Sequence, residues 1–471
     1  MKNRFIFLIA LLLQLAMYGQ EEVATINGEG KFSTIKQSFN VVDETSGNFF
    51  VFLEDRDRVY GFMFDENYNI LGTTICPDLH SKFKAIIGYA IESKVITLFM
   101  NTPNGRSYGA MTFDFEKGMA QAKELGFKLR GEKYLEAIHY NNDLYLLSVP
   151  NRGSQLNVYA FNNDLDHTLH EIIFKENSFL DQKGKAFDFS EIAIKSTIGQ
   201  IEPNTPNVLE LTSKDLKFYK KGDSLSITSD HFREHTHLIQ IDLASFEHSV
   251  KKLPQPEFEG FNLSVKSNSF LMEDKLFQIA SDSDKLQFQI VEISSGKIIK
   301  KIAVTDDEQL EFKNTPIIQE GGDFDSYREL EKTNKFLRKI SNGGIGLSIY
   351  KQNGVYEITM GSTVEKPNNA VIVGGALGGL AGGIIVASFN NLNYTYNGYK
   401  NTKSVRITGL FDKDFNHLEG SISENPFDRI KTTFENTKGA TAETIFKLNE
   451  SFIWGHYNRK ENNYRLVKFS E

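Results

Sequence analysis

"NFFVFLEDRDRVYGFMFDENYNILGTT", residues 48–74, is the stretch that decides the fold. It reads as a strand, a polar turn, an alternating strand, an acidic turn and another strand. The period-two alternation marks strands with one buried face. The pattern returns in "SKVITLFMNTPNGRSYGAMTFDFEKGMAQAKEL" (93–125) and "NDLYLLSVPNRGSQLNVYAFNNDLDHTLHEIIF" (142–174). It recurs in "DSLSITSDHFREHTHLIQIDLASFEHSVKKL" (223–253) and "DKLFQIASDSDKLQFQIVEISSGKIIKKIAV" (274–304). "VRITGLFDKDFNHLEGSI" (405–422) and "SFIWGHYNRKENNYRLVKFSE" (451–471) are partial copies. Asp65, Asp114, Asp242 and Asp412 open comparable turns. Their carboxylates bond nearby backbone and suit tight reversals.

A further strand precedes several copies, as in "KAIIGYAI", "YLEAIHY" and "KDLKFY". Four strands every roughly 45–50 residues is the period of a β-propeller. The spacing predicts an all-β fold with seven blades, near 37–75, 84–125, 135–174, 214–253, 267–304, 343–422 and 442–469. The last copy lacks a fourth strand, while "VATINGEGKFSTI" (23–35) precedes the first blade with nothing to pair. This N-terminal segment is expected to close the last blade, which removes two exposed edges.

Insertions are expected near 184–207, 309–341, 362–402 and 424–438. The first reads as a short helix and a proline-bearing loop. The second predicts a helix from Ser326 to Ile340, with Tyr327, Leu330, Phe336, Leu337 and Ile340 on its apolar face. In the last, Asn425 caps a helix that has Pro426 in its first turn and Asp428 at its positive end.

The chain has 471 residues, 40% of them hydrophobic, which is ample for a large core. Its formal charge is −8 with no dense Lys/Arg block, so nucleic acid is excluded as a partner class. The opening "MKNRFIFLIALLLQLAMYGQEEV" has a basic end, an apolar core and small or polar residues near Gly19 and Gln20. It is expected to be a signal peptide over 1–20, followed by one propeller domain over 21–471. Export to the periplasm, outer envelope or extracellular space follows. Cys76 is the only cysteine, which excludes an intrachain disulfide and a multi-cysteine zinc site.

The signal peptide, "TPNVLELTSKDLKFY…LIQIDL" and "TKSVRITGLFDKDFNHLEG" together resemble a group of uncharacterised secreted bacterial propeller-like proteins. The resemblance covers most of the mature chain. It implies the fold and export, and carries no activity and no site residues.

Motifs for chemistry are sparse. "HFREH" places His231, Glu234 and His235 in the H-x-x-E-H order of some zinc peptidases, with His237 beyond. That chemistry needs a helix, and the motif sits at a hairpin tip. The three histidines are candidates for adventitious metal binding only, and no cofactor is expected. His167 and His170 would point to opposite faces of one strand. Trp454 reads as core.

"VIVGGALGGLAGGIIVASF" (371–389) interrupts the sixth blade. Gly374, Gly375, Gly378, Gly379, Gly382 and Gly383 recur with a spacing of four, as in small-residue packing of membrane helices. A single crossing would strand residues 403–469 away from the ring they must close. The run is therefore expected to be a loop, with residues 370–390 a contact for a membrane, a second copy or a partner. The tyrosines Tyr394, Tyr396 and Tyr399 beyond it are expected in a polar loop at that interface.

The functional expectation is a non-enzymatic, exported binding or scaffold propeller of the envelope, its partner an envelope protein or glycan. The rival is an extracytoplasmic hydrolase or lyase with scattered residues at the propeller channel.

Overall fold

The computed structural model describes residues 20–28, 33–77, 83, 85–102, 104–258, 264–320, 327–363, 385–386, 391–400 and 403–470. Its strands form seven sheets arranged as the blades of a propeller. Blade one runs Gln37–Val42, Phe49–Glu54, Arg58–Phe64 and Ile70–Pro77 from the axis outward. Blade two is Ala85–Glu92, Val95–Asn101, Tyr108–Asp114 and Met119–Leu125. Blade three follows with Glu132–Tyr140, Asp143–Pro150, Gln155–Phe161 and His167–Ile173. Blade four comprises Leu216–Lys221, Ser224–Ser229, His235–Asp242 and His248–Pro254. Blade five comprises Lys266–Met272, Lys275–Ser281, Lys285–Glu292 and Ile298–Thr305.

Middle strands such as Phe49–Glu54 are buried along their whole length, because neighbouring blades cover both faces. Outer strands alternate between exposed and buried. The four predicted turn aspartates all act as expected. Asp65 accepts from the backbone of Asn67 and Asn69, and Asp114 from Glu116 and Lys117. Asp242 accepts from Ala244 and Ser245, and Asp412 from Asp414 and Asn416.

Blade seven closes the ring. Ala440–Leu448, Ser451–Asn458 and Asn463–Ser470 take Gln20–Asn27 as their fourth, outermost strand. Gln20 pairs with Phe469 and Asn27 with Asn463. Side chains then join the seventh blade to the inner strand of the first. The Tyr464 hydroxyl donates to Ser38 Oγ at 2.7 Å, Ser38 donates to the Ala442 carbonyl at 2.6 Å, and Thr444 donates to Asn40 at 2.8 Å.

Blade six departs from the others. Its inner strands Gly344–Gln352, Val355–Thr363 and Ser404–Phe411 are regular. Its outer position is shared by Ile317–Glu320, which comes from earlier in the chain, and His417–Leu418. The segment predicted to be helical from Ser326 instead forms a strand at Arg328–Leu330, which pairs with Ile317–Glu320, and then a helix. Tyr327, expected on the helix's apolar face, is 55% exposed. Pairing with a strand of high β propensity outcompetes the first turn of a marginal helix.

The described helices are α1 (Phe189–Lys195), α2 (Leu209–Thr212), α3 (Thr333–Ile340), α4 (Asn391–Lys400) and α5 (Pro426–Asn436). Asn425 caps α5 as predicted, accepting from the backbone of Phe427 and Asp428, while Asp428 accepts from the Asn425 backbone. The expected polar loop after the glycine run is instead α4. Tyr396 on it is fully buried against Phe427. Gly398 is required there, because a Cβ would lie 2.8 Å from a Val208 methyl. Two short strands add in parallel to inner strands: Ile198–Ile201 on Leu216–Lys221, and Ile385–Val386 on Ala85–Ile86 of blade two.

Candidate functional site

The middle of blade six has two faces of opposite character. Its register sets Leu347, Met360 and Ile407 in one row, and Ile349 opposite Ile358 in the next. These residues join the core shared with blade five. The other face carries Tyr350 opposite Glu357, the row Ser348–Thr359–Thr408, and Arg406 opposite Gly361. Blade seven does not cover this face directly. Helices α4 and α5 lie between, with Leu392, Tyr396, Phe427 and Ile430 packed on Phe452 and Trp454 of blade seven. Lys400 pins α4 there through Glu443 at 2.9 Å.

Between the polar face and the helices lies a cleft of about 580 Å³. Glu357, Thr359, Arg406 and Thr408 line one wall, Tyr399, Asn425, Asp428 and Lys431 the other, and Pro206–Leu209 one end. Most of its polar groups are held by the protein. Arg406 donates to Glu320 at 2.7 Å and to Ser404 at 2.9 Å. The hydroxyls of Thr359 and Thr408 lie 2.9 Å apart, and Ser348 donates to the Asn207 carbonyl at 2.5 Å. Tyr399 donates to Asp428 at 2.5 Å and accepts from Asn425 at 3.1 Å.

Glu357 is an exception on the strand wall. Its carboxylate has no hydrogen bond or ion pair with another described residue. Burial, and then the nearby negative charge of Asp428, push its pKa up to about 7. Burial also raises the Tyr399 phenol, with Asp428 adding to the effect. The cleft therefore holds an acid poised between its two forms near neutrality. Groups of this kind concentrate where ligands are bound or protons moved.

The interface of blades four and five is also polar, and its groups are bonded to one another. Lys217 donates to Asp230 at 2.7 Å with both side chains fully buried. Asp230 also accepts from Thr236, Gln255 and Ser269, and Gln289 donates to Gln278. Lys217 and Asp230 are thus held by the protein, whereas the blade-six face opens onto space.

The sequence-predicted candidates fall elsewhere. His231 and Glu234 lie in a turn and His235 starts a strand, so no helix presents the H-x-x-E-H order. The Phe232 ring is the common neighbour of His231, His235 and His237, with centroids 5.0, 5.1 and 5.6 Å away. His235 and His237 also meet edge to face, with centroids 4.6 Å apart. Among the described residues, no group of three or more His, Cys, Asp or Glu is placed to hold a metal ion. Burial lowers the His235 pKa to about 4 and that of His237 to about 3. His167 stacks on Phe161, and His170 on Phe246. Trp454 is fully buried and donates to Glu443 at 3.1 Å, a core role as expected.

Gly374, Gly375, Gly378, Gly379, Gly382 and Gly383 lie outside the described residues. No described helix is long and apolar enough to cross a membrane.

Sequence reading missed Glu357, Arg406, Tyr399 and Asp428 as a group. The available signal was in "VYEITMGST" and "VRITGLF". Middle strands of blades one to three, such as "FFVFLE" and "VITLFMN", are largely apolar on both faces, whereas these two set polar residues (Glu357, Thr359, Arg406, Thr408) between apolar ones.

No protein-family model and no curated protein matches the chain. Among solved structures, a mutant of Synechocystis apocarotenoid oxygenase is similar at 8% identity and a TM-score of 0.31, over 58% of this chain and 62% of that one. A structure from work on two prolyl endopeptidases is similar at 9% identity and a TM-score of 0.33, over 92% of this chain and 50% of that one. The chain thus spans less than two thirds of the oxygenase and half of the endopeptidase. Likenesses this distant say nothing about activity, and they establish no family.

Proposed function

We propose that the chain is an exported binding propeller of the cell envelope, and that its ligand site is the cleft between blade six and helices α4 and α5. The observation that carries this reading is the polar face of the blade-six middle strands, held open by two helices. Packing blade against blade would have buried more apolar surface, which is the usual source of propeller stability. The sequence gives up that packing here and keeps a small-ligand-sized space. The wall is rich in hydroxyls and carboxylates, and the Glu357 acceptor has no partner among the described residues. This suits a small hydroxylated ligand, such as the end of a glycan, over an apolar one. The resemblance to secreted bacterial propeller-like proteins supports export, and the glycine-rich run is retained as a candidate contact with a partner or membrane.

Glu357 favours a second reading, a hydrolase or lyase in which it donates a proton. Its raised pKa suits a general acid near pH 7.

Titration calorimetry with short oligosaccharides and polyols separates the possibilities. Binding that falls at least tenfold in Glu357→Ala and in Thr359→Val supports the cleft. Binding indifferent to both variants rejects it. Turnover of a bound sugar by the parent and not by Glu357→Gln would favour the enzyme; retained binding without turnover favours the binding protein.

A further inference from the structure

Two imidazoles cap the core between blades three and four. His235 and His237 flank Thr236, so both point to one side of their strand. Both are buried. The chain between blades three and four folds over them. Its Phe179 ring meets His237 edge to face with centroids 5.3 Å apart, and its Phe187 ring meets Phe232 at 5.1 Å. A bridge between Leu180 and Ala186 closes residues 180–186 into a small flap on this seat.

An apolar pair would fill the same seat without stranding polar atoms. Neither ring nitrogen of His237 has a hydrogen-bond partner, nor does Nε2 of His235. Such buried orphans cost stability and call for a reason. The charges around the pair also oppose its protonation. Lys252 lies across from His237 on the neighbouring strand, and donates to the carbonyls of Leu180 and Asp181 at 3.2 and 3.1 Å. One cation thus already ties the flap down beside the imidazoles, and His231 is the third imidazole on Phe232. Of the carboxylates near the pair, Glu234 is bonded to Arg233 at 2.7 Å, and Asp181 holds the backbone of Lys183 and Lys185 within the flap. Glu234 and Asp181 draw the His235 pKa upward, less than burial and Lys252 draw it down. From helix α1 and the turn before blade four, Glu191, Lys195 and Asp215 act on His231.

We propose that the 180–186 flap is a pH-sensitive latch, seated at neutral pH and released in acid as His235 and His237 take up protons. While the flap is seated, burial holds the two rings neutral down to about pH 4 and about pH 3. Once it lifts, they titrate as free histidines, near 6.5. The open form therefore binds more protons between those limits and gains on the seated form as pH falls. Two such groups raise the open fraction on the order of 10³-fold between pH 7 and pH 4.5. Release frees Phe179 and Phe187 from the blade. The latch is independent of the ligand cleft.

Hydrogen exchange read by mass spectrometry tests this on the full-length purified protein at pH 7 and pH 4.5, with rates corrected for the pH dependence of free-amide exchange. The Asp181 amide donates to the Lys185 carbonyl, and the Phe187 amide to the Phe179 carbonyl. A two-stranded hairpin this short does not hold such bonds once it leaves the blade. Their protection should fall on the order of 10³-fold from pH 7 to pH 4.5, while Phe49–Glu54 in blade one stays protected. The double variant His235→Phe with His237→Phe should show less than about a tenfold change. A flap equally protected at both pH values in the parent overturns the proposal. So does loss of protection in the flap and in Phe49–Glu54 together, and so does a loss that persists in the double variant. Melting at pH 7 checks that the double variant is folded. If it is not, His237→Phe alone should remove about half of the effect on a logarithmic scale, and an undiminished effect there overturns the proposal equally.

Discussion

Glu357 holds its proton in the folded chain up to about pH 7, whereas an ordinary glutamate loses it near 4.5. Between those values the folded state binds more protons than the unfolded state, so this group's contribution to stability falls as pH rises. Above pH 7 a charged carboxylate with no partner among the described residues remains in the cleft as a penalty. Glu357→Gln should therefore melt higher than the parent at pH 8 and match it near pH 4, as thermal unfolding at the two pH values would show. A second residue-scale prediction concerns Lys217. Its removal strands Asp230 in a dry interface, and an uncompensated buried charge costs about 3–5 kcal/mol. Lys217→Met should lose stability of that order in denaturant titrations. The double variant Lys217→Met with Asp230→Leu should recover part of the loss. Neither residue stood out in the sequence. Lys217 lies in "KDLKFY" and Asp230 beside the H-x-x-E-H order, and what joins them is blade-to-blade contact.

The clearest element is the N-terminal strand. Gln20–Asn27 covers the edge of Asn463–Ser470, with Arg465 reaching Glu22 at 3.3 Å. Deleting residues 20–27 should expose that edge, lower the melting temperature and promote association, measured by thermal unfolding and gel filtration. This strand was legible because a count of four strands per blade left one vacancy and one unpaired segment. The cap of α5 was legible for a local reason, since Asn425, Pro426 and Asp428 each suit a helix start. Asn425→Ala should cost about 1 kcal/mol and loosen the cleft wall through Tyr399. Helix α4 was not legible. "NNLNYTYNGYK" is poor in helix formers, and its helicity comes from burying Leu392 and Tyr396 against α5 and blade seven. Tertiary packing overrides propensity there.

At the scale of the molecule, seven copies of one pattern made the ring readable, including its closure. The cleft was harder to read, because its walls come from parts of the chain far apart in sequence: residues 206–209, the blade-six strands, and helices α4 and α5. The ring also buries several imidazoles. Burial lowers the pKa values of His139 and His237 to about 3, and those of His235 and His456 to about 4. An unfolded histidine takes up a proton near 6.5, so the unfolded state binds more protons between those limits. This stabilisation is complete above pH 6.5 and is lost as pH falls below it. The melting temperature should drop from pH 7 to pH 5, and His237→Phe should flatten that slope.

The most direct test of the cleft as the ligand site is a crystal structure of the protein soaked with a mixture of small sugars and polyols. A bound molecule should lie between blade six and helices α4 and α5, with a hydroxyl on the Glu357 carboxylate. Ligands collected at the mouth of the axial channel, with the cleft left to solvent, would contradict it.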